Sequence, residues 1–413
     1  MSIKKTTLLI LFVLISAILC NCAVFNTMEK PPAEPIQIKP TATPHPIQSA
    51  VPTPSPEYSP TTSAIPTPKP IEFTILATGD VMTHGDNLKS AYNTETGNYS
   101  FDENYIHVKK IIEKADFALC NLETVTAGEE SGYTSYPLFN TPAAILDGLK
   151  FAGFNALVTA NNHSLDRGEA GILNTLSEIK KREMLSIGTY SEKNTNYLTI
   201  DIKGIQVSIL AYTQHLNGNL PMLSEDKYFM VNQMDKGKIT DDIKAASLHS
   251  DLVLVYLHWG NEYTRGTEDW QPAYAYDLIE AGADVILGTH PHVVRPDEVV
   301  LHNGEAKYII YSMGNFISNF IREDNRNNAI YTEDGVMINM IFIVNESGGV
   351  ELTEVIPVPT WPYKYTDKTG IHYEIIPVEN ADSIVHVTPY DDNEAKESYE
   401  RTMESLAGYK ASH

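Results

Sequence analysis

The sequence predicts an α/β fold in which two sheets form a sandwich with helices on the outside. Three observations support this prediction. Strand-like and helix-like segments alternate through the first half of the chain, which favours a parallel sheet. Hairpin-like pairs of strands are more frequent in the second half. Polar side chains follow several of the apolar runs, at the strand ends where ligands of such sheets collect.

Short apolar runs and the helical spacing of apolar residues define the elements of the first half. The predicted elements are, in chain order, a strand at 71–78, a helix near 103–114, a strand at 117–122, a helix at 142–152, a strand at 156–160, a helix at 169–182 and a short strand at 185–188. The alternation is typical of parallel strands joined by crossover helices.

The second half begins with a predicted hairpin, because residues 197–201 and 206–212 flank the turn sequence Lys203-Gly204. We expect the long polar insertion at 213–235 to cover a site. The remaining predicted elements are a helix near 241–248, a strand at 251–257, a helix at 270–281, strands at 284–287, 308–312, 336–344 and 350–358, and a closing acidic helix at 389–408.

The folded part of the chain is strongly acidic. The sequence has 413 residues and a formal net charge of −23, and residues 72–413 contain 25 basic and 50 acidic residues. Such a surface repels nucleic acid and anionic lipid, so we expect no nucleic-acid partner. It also repels a polyanionic substrate. Cys120 is the only cysteine beyond residue 22 and closes an apolar run, so we expect a buried thiol and no disulfide in the folded part.

The first 25 residues have the features of an export signal or a membrane anchor. Lys4 and Lys5 precede a continuous apolar stretch at 8–19. Cys20 or Cys22 is a candidate lipid-acceptor cysteine of a lipoprotein, and an uncleaved N-terminal membrane anchor is the alternative. Either interpretation predicts attachment to the bacterial cell membrane.

Residues 26–70 are predicted to be a disordered, extended linker. They are rich in Pro, Thr and Ser, and 13 of the 24 prolines lie before residue 71. Such a segment lifts a domain away from a membrane. We therefore expect residues 71–413 to form a domain outside the cytoplasmic membrane.

Carboxylates follow the first two predicted strands. Asp80 comes after Gly79 at the end of the first strand, which suits a metal ligand, although Gly-Asp also makes ordinary turns. Glu123 follows the second strand and shares a face with Asn121, where it either bridges two cations or caps a turn. His84 is predicted to be a substrate contact or a surface imidazole.

Three polar residues in a row follow the predicted strand at 156–160, and packing alone does not explain them. An amide oxygen such as that of Asn162 is a neutral metal ligand, and the adjacent His163 can donate a proton or hold an anion. Asp166 lies three residues after His163 and is predicted to orient its ring. We therefore predict His163 and Asp166 as catalytic residues.

Histidines follow two later strands. His258 ends one strand, and His290 and His292 follow another in the sequence His-Pro-His. A lone histidine at a strand end is more often structural, so the weight comes from the co-occurrence of six such residues with mixed nitrogen and oxygen donors. Such sets suit pairs of Mn, Fe or Zn ions. Two such ions can polarise an oxyanion and activate water.

These clusters, in this order, resemble the CapA family of poly-γ-glutamate capsule synthesis proteins, which is related to calcineurin-like metallophosphoesterases. The matching segments are 79–82, 121–123, 160–166, 258–260, 288–293 and 312–316. The resemblance spans residues 72–320. It implies a four-layer α/β/β/α sandwich of the metallophosphoesterase type with two divalent metal ions. The wider phosphoesterase pattern has histidine where Met82 stands and aspartate where Glu123 stands.

The resemblance also implies roles for individual residues. Asp80, Glu123 and His292 would hold one cation. Glu123 would bridge to a second cation, which would also be held by Asn162, His258 and His290. His163 would be the general acid or the oxyanion partner. The predicted residues of the substrate rim are His84, Asn121, Asn161, Trp259, Arg295 and Asn315.

Two functions remain open from the sequence. One is an exported metal-dependent hydrolase that acts on a phosphoester or a γ-glutamyl polymer, because the family is tied to making, exporting or anchoring poly-γ-glutamate. The alternative is a non-catalytic component that binds an anionic envelope polymer within a synthesis complex. The acidic surface disfavours a polyglutamate chain unless cations and local arginines, such as Arg167 and Arg295, offset the charge.

Overall fold

The computed structural model describes residues 70–193, 196–322, 328–379 and 389–407. The predicted anchor, with Cys20 and Cys22, lies outside the described residues, as does the linker apart from residue 70. Among the helices described, none combines the length and apolar character that a membrane span requires.

Sixteen strands are described in these parts of the chain. In chain order they are β1 Glu72–Val81, β2 Tyr92–Asn93, β3 Asn98–Tyr99, β4 Phe117–Leu122, β5 Ala156–Val158, β6 Leu185–Ile187, β7 Tyr197–Ile202, β8 Ile205–Thr213, β9 Leu252–His258, β10 Val285–Thr289, β11 Asp297–His302, β12 Glu305–Ile310, β13 Asn315–Ile317, β14 Gly335–Val344, β15 Val350–Asp367 and β16 Gly370–Pro377.

The described α-helices are α1 Gly85–Ala91, α2 Lys109–Ile112, α3 Ala144–Ala152, α4 Gly168–Lys181, α5 Lys236–Ser247, α6 Gln271–Glu280 and α7 Pro389–Ala407. Short 3-10 helices lie at Asp102–Tyr105, Glu129–Ser131, Leu220–Met222, Glu225–Met230 and Ala329–Glu333.

Two large sheets contain most of the strands. The first has the order β16-β15-β14-β1-β4-β5-β6, and β13 also pairs with β1. Its strands β1, β4, β5 and β6 are parallel. The second sheet has the order β11-β12-β10-β9-β8-β7, in which β8, β9, β10 and β12 are parallel. Each sheet therefore has a group of parallel strands whose carboxyl ends lie at one edge.

Alternate residues of the central strands divide between two apolar layers. Phe73 and Ile75 of β1 belong to the core between the two sheets, together with Val207 and Leu254 of the second sheet. Leu76, on the other face of β1, packs in a separate core with residues of α3. The outer face of the second sheet packs against α5 and α6. The predicted four-layer α/β/β/α fold is therefore confirmed.

Two differences from the predicted elements have local causes. The helix predicted near 103–114 is split into the 3-10 turn Asp102–Tyr105 and the short α2, in a region where isoleucine and valine lower the helix propensity. The helix predicted near 241–248 begins five residues earlier, at Lys236. It begins there because Asp235 accepts a hydrogen bond from the Lys238 amide at 2.8 Å and caps its first turn.

Candidate metal centre

The site forms where the carboxyl ends of strands from both sheets meet. Asp80 in β1 pairs with Asn121 of β4 on one side and Asn315 of β13 on the other. In the second sheet, Thr289 at the end of β10 pairs with His258 at the end of β9. The Tyr256 hydroxyl of the second sheet donates a hydrogen bond to the Thr78 carbonyl of the first. The sheets are thus joined directly beneath the polar cluster.

The structure brings the acids and imidazoles into two groups that share one carboxylate. Ligand atoms of Asp80, Glu123 and His292 lie within 4.8 Å of one another, and so do those of Glu123, His258 and His290. Glu123 Oε1 lies 3.7 Å from Nε2 of His258 and 3.8 Å from Nε2 of His292. The two adjacent groups of possible metal ligands therefore share the carboxylate of Glu123.

Nε2 of His258 lies at the centre of the second group. It is 3.0 Å from Oδ1 of Asn162 and 3.0 Å from Nδ1 of His290. The opposite ring nitrogen of His258 lies 3.0 Å from the Thr289 hydroxyl, which fixes the orientation of the ring. Nitrogen and oxygen atoms that converge in this way are a donor set for a divalent transition metal.

Burial disfavours the ionised form of the Glu123 carboxyl group. Its side chain is completely buried, and neither carboxylate oxygen has a hydrogen-bond partner among the described residues. Burial raises the pKa of Glu123 well above its usual range, and the charges of Asp80 and Glu262 raise it further. A buried carboxylate is normally paired or bound to a metal, so the missing partner points to a cation.

The imidazoles are also held in the form that binds metals. Burial lowers the pKa of His258 and of His290 well below the usual range, and the charge of neighbouring imidazoles lowers both further. A neutral imidazole has a lone pair available for a cation. The residues present therefore fit divalent metal ions, since neutral imidazoles and an unpartnered carboxylate converge on the same space.

The backbone of the His-Pro-His segment is strained. His290 has φ 97° and His292 has φ 57°, in the region that side-chain-bearing residues rarely adopt. The His290 amide donates to Oδ2 of Asp80 at 3.3 Å, and Nδ1 of His292 lies 3.2 Å from the same oxygen. Backbone strain of this kind persists where surrounding contacts hold it, which is common at functional sites.

His163 forms a buried pair with Asp166. Its Nδ1 lies 2.7 Å from Oδ2 of Asp166, and the same oxygen accepts from the Phe139 amide at 2.7 Å. The Phe139 ring and the imidazole pack in a T-shaped arrangement, with ring centroids 4.6 Å apart. With Nδ1 donating to the carboxylate, Nε2 is the nitrogen left for a proton-transfer role.

The three asparagines predicted to line the rim are buried behind the acids and imidazoles. Asn121 Nδ2 donates to Oδ1 of Asp80 at 2.7 Å, and Asn161 Nδ2 donates to Oδ1 of Asn121 at 3.1 Å. Oδ1 of Asn315 lies 3.0 Å from Nδ1 of His292. The predicted rim position of these asparagines is therefore wrong. Asn121 orients Asp80, Asn161 acts on Asp80 through Asn121, and Asn315 orients His292.

Trp259 and Arg295 are also not at the rim. Trp259 lies in the apolar core under α6 and donates from Nε1 to the Tyr311 carbonyl at 3.1 Å. Arg295 is completely buried and pairs with Glu268 at 3.0 Å. The predicted rim positions of Trp259 and Arg295 are therefore wrong, because both side chains pack and form hydrogen bonds inside the protein.

His84 is buried between aromatic rings beside the site. Its ring centroid lies 5.3 Å from that of Phe139 and 4.7 Å from that of Phe320. Phe320 in turn packs against His292, with centroids 5.1 Å apart. The rings thus form a wall from His163 to His292, and His84 is part of it.

Three residues near the cluster were not predicted from the sequence. Ligand atoms of Glu262 lie within 4.8 Å of those of His290 and His292. The 213–235 insertion adds His215, whose ring lies 6.1 Å from that of His290, and Asn217, whose Oδ1 accepts from Nδ2 of Asn162 at 3.5 Å. The insertion was expected to cover a site, but its residues carry no motif that identifies these two.

Comparison with known families places the chain beside capsule synthesis proteins. A family described as bacterial capsule synthesis protein PGA_cap matches residues 74–320. The PGA biosynthesis protein CapA of Bacillus subtilis is 32% identical over 240 residues, which is 54% of this chain and 57% of the relative. The capsule biosynthesis protein CapA of Bacillus anthracis is 28% identical over 259 residues, which is 60% of each chain. The chain thus spans less than two thirds of the length of these relatives.

Solved structures with a similar arrangement are more distant in sequence. The NAD nucleotidase of Haemophilus influenzae has a TM-score of 0.44 at 14% identity and covers 82% of this chain and 57% of its own. The calcineurin-like phosphoesterase YfkN of Bacillus subtilis has a TM-score of 0.40 at 15% identity and covers 81% of this chain and 99% of its own. Similarity at this level carries no information about activity.

Proposed function

Because the chain belongs to the bacterial capsule synthesis protein family PGA_cap, we propose that it acts in the synthesis of poly-γ-glutamate at the cell envelope. The names of the two Bacillus relatives, which refer to PGA and capsule biosynthesis, support this role. The apolar stretch at 8–19 supports attachment to the membrane on its outer side.

We propose that the cluster holds two divalent cations, either Mn, Fe or Zn. Asp80, Glu123 and His292 hold one cation, and Glu123 holds the other together with Asn162, His258 and His290. The observation that carries this proposal is the position of Glu123, a fully buried carboxylate that belongs to both groups and has no hydrogen-bond partner among the described residues.

We propose that the protein is a hydrolase of a phosphoester or of a γ-glutamyl bond. When bound, the cations supply Lewis acidity toward an oxygen of the substrate and toward water. The Asp166 carboxylate, 2.7 Å from Nδ1 of His163, holds the ring so that Nε2 is left for proton transfer. His163 then gives its Nε2 proton to the leaving oxygen or nitrogen. The buried ring of Phe139 keeps water away from this pair.

The electrostatics of the site support an anionic substrate only when cations are bound. Asp80 and Glu123 repel an anion, and the domain has a net charge of −25 over residues 72–413. Two divalent cations would outweigh the two carboxylates locally and make the site attractive to phosphate or to a carboxylate-bearing polymer. Arg295 does not contribute to this attraction, because its charge is paired with Glu268.

Metal analysis and turnover test this proposal together. We expect the purified full chain to contain about two Mn, Fe or Zn ions, measured by mass spectrometry of the metals. We expect the protein to cleave either a phosphodiester or a γ-glutamyl oligomer, and a chelator to abolish the cleavage. His290→Ala should lose both properties, whereas His249→Ala, which changes an exposed histidine after α5, should keep both. A protein without stoichiometric metal would refute the proposal.

The second candidate function is a non-catalytic component that binds an anionic polymer within an envelope synthesis complex. It is favoured by Met82, a buried apolar side chain that stands where the wider phosphoesterase pattern has a histidine ligand. This candidate predicts that the metal-loaded protein binds a γ-glutamyl oligomer and leaves it intact. Chelator-sensitive cleavage of the oligomer would exclude it as the sole role.

A further inference from the structure

Arg295 fastens the loop that follows β9. Its Nε donates to the Thr264 carbonyl at 2.8 Å, and its Nη2 donates to the Asn261 carbonyl at 2.8 Å. Its Nη1 donates to Oε2 of Glu268 and to Oε1 of Gln271, each at 3.0 Å. A fully buried guanidinium therefore holds the backbone on both sides of residues 262 and 263.

The turn at residues 262 and 263, which Arg295 holds, places the Glu262 carboxylate next to the proposed metal centre. The Tyr263 amide donates to the Pro291 carbonyl at 2.8 Å, so the turn is tied to the His-Pro-His segment itself. Tyr263 has φ 61°, and Gly260 at the start of the loop has φ 92°. In this turn the Glu262 carboxylate comes within 4.8 Å of ring nitrogens of His290 and His292.

Glu262 differs from the six predicted ligands in its exposure. Those six are all buried, whereas Glu262 is exposed and therefore lies on the solvent side of the two histidines. The buried Glu123, which has no hydrogen-bond partner among the described residues, also has a carboxylate oxygen within 4.8 Å of a ring nitrogen of each of these two histidines. His290 and His292 thus have buried carboxylates, those of Glu123 and Asp80, on the protein side and the exposed carboxylate of Glu262 on the solvent side.

We propose that Glu262 is a seventh donor of the metal centre, which closes it toward solvent, and that Arg295 is the residue that positions it. This inference rests on the proposed function, since it requires cations between the two histidines and Glu123. A carboxylate at this position offers an oxygen ligand that the sequence motifs do not include. The exposed Glu262 can also leave when a substrate oxygen takes its place.

Manganese binding to the full chain tests the role of Glu262 without any assay of turnover. Metal-free wild type, Glu262→Gln and the control Glu346→Gln are titrated with Mn²⁺, and bound metal is measured by equilibrium dialysis. We expect Glu262→Gln to raise the dissociation constant of at least one cation about tenfold or more. Glu346, in the exposed turn between β14 and β15, should be without effect.

The outcomes separate the two proposals. If wild type binds Mn²⁺ and Glu262→Gln binds it with equal affinity, the role of Glu262 is refuted and the proposed function stands. If wild type binds no Mn²⁺, the titration is repeated with Zn²⁺ and Fe²⁺, and binding of none of the three refutes both. Far-ultraviolet circular dichroism should show that Glu262→Gln is folded, since the changed carboxylate is exposed.

Arg295→Lys tests the positioning role, because lysine cannot form the same fork of hydrogen bonds. We expect it to raise the same dissociation constant, and the double variant Arg295→Lys/Glu262→Gln to bind no more weakly than Glu262→Gln alone. The positioning role of Arg295 would be contradicted if Arg295→Lys bound Mn²⁺ as tightly as wild type does. It would also be contradicted if the losses of Mn²⁺ affinity in the two single variants added up in the double variant. If Arg295→Lys does not fold, Glu262→Gln still decides whether the carboxylate is a donor.

Discussion

Two buried carboxylates of this protein have opposite surroundings. Asp334, just before β14, accepts from Nε and Nη2 of Arg401 at 2.8 and 2.6 Å and from the Ser398 hydroxyl at 2.7 Å. Glu123 accepts no hydrogen bond from any described residue. Burial is the largest cause of a raised pKa for both Asp334 and Glu123. The protein thus supplies a cation to one acid and leaves the other without one.

The difference distinguishes a structural acid, Asp334, from Glu123, which we propose as a metal ligand. Asp334 ties α7 to the end of the first sheet through a complete set of partners. Such a pair is costly to break, because the remaining charge would be buried without compensation. Glu123 has imidazoles nearby instead, and burial keeps His258 and His290 neutral. A neutral imidazole cannot neutralise a carboxylate, which supports our proposal that a bound cation balances the charge of Glu123.

The largest expected change in the free energy of unfolding comes from removing Arg401, the ion-pair partner of Asp334. Arg401→Ala leaves Asp334 buried without its cation, and we expect a loss of about 3–5 kcal/mol in the free energy of unfolding at pH 8. Urea denaturation followed by circular dichroism measures it. Lys396→Ala, on an exposed part of α7, should change the free energy by less than about 1 kcal/mol. Equal effects of the two substitutions would contradict the comparison.

The pH dependence of stability sharpens the description of Asp334. Burial outweighs the pairing with Arg401 and raises the pKa of Asp334 to about 6. The folded state therefore binds this proton more tightly than the unfolded state, in which the pKa is about 3.9. The contribution of Asp334 is greatest below pH 4 and falls by about 3 kcal/mol as the pH rises from about 4 to 6.

Asp334→Asn removes this titration and isolates its effect. The difference in unfolding free energy between wild type and Asp334→Asn should fall as the pH rises from 4 to 6 and stay constant above 7. Urea denaturation at a series of pH values measures the difference. A difference that rises over this range would show that the pairing with Arg401 outweighs burial.

Removing the unpartnered acid should affect cations more than folding. We expect Glu123→Gln to weaken the binding of both cations about 100-fold, or about 2.7 kcal/mol, because both groups lose their shared oxygen ligand. Calorimetric titration with Mn²⁺ measures it. Asp334→Asn should bind Mn²⁺ as wild type does. Loss of only one cation in Glu123→Gln would show that Glu123 does not bridge.

The smallest expected effect concerns the pair next to the cations. Asp166→Asn removes the carboxylate that orients the His163 ring through Nδ1, and we expect the cleavage rate to fall about tenfold with unchanged metal content. An unchanged rate would argue that Asp166 only supports the Phe139 amide.

The sequence predicted the fold and brought the right strand ends together, for a simple physical reason. Parallel strands are buried on both faces, so their apolar runs are easy to recognise, and β4 has the predicted bounds of 117–122. The strand ends then fix where Asp80, Glu123 and His258 lie. The rim position predicted for Trp259 was wrong, although alternation places the residue after His258 on the opposite side of the sheet.

Contacts between distant loops could not be predicted in this way. The orientation of Glu262 depends on Arg295, which lies 33 positions later in the sequence, and neither residue belongs to a regular pattern. The supporting roles of Asn121 and Asn315 require the register of three strands around Asp80. The periodicity of apolar residues predicts which face of a helix or strand a residue occupies. It does not predict which residue of another segment contacts it.

The six predicted ligands are divided evenly between the two sheets. Asp80 lies in β1 of the first sheet, and Glu123 and Asn162 follow strands of that sheet. His258 ends β9 of the second sheet, and His290 and His292 follow β10. Neither half of the domain contains enough donors to hold a cation pair by itself. Uptake of metal should therefore occur late in folding, after the halves have docked, and the chromophoric ion Co²⁺ would serve as a spectroscopic reporter of that docking step.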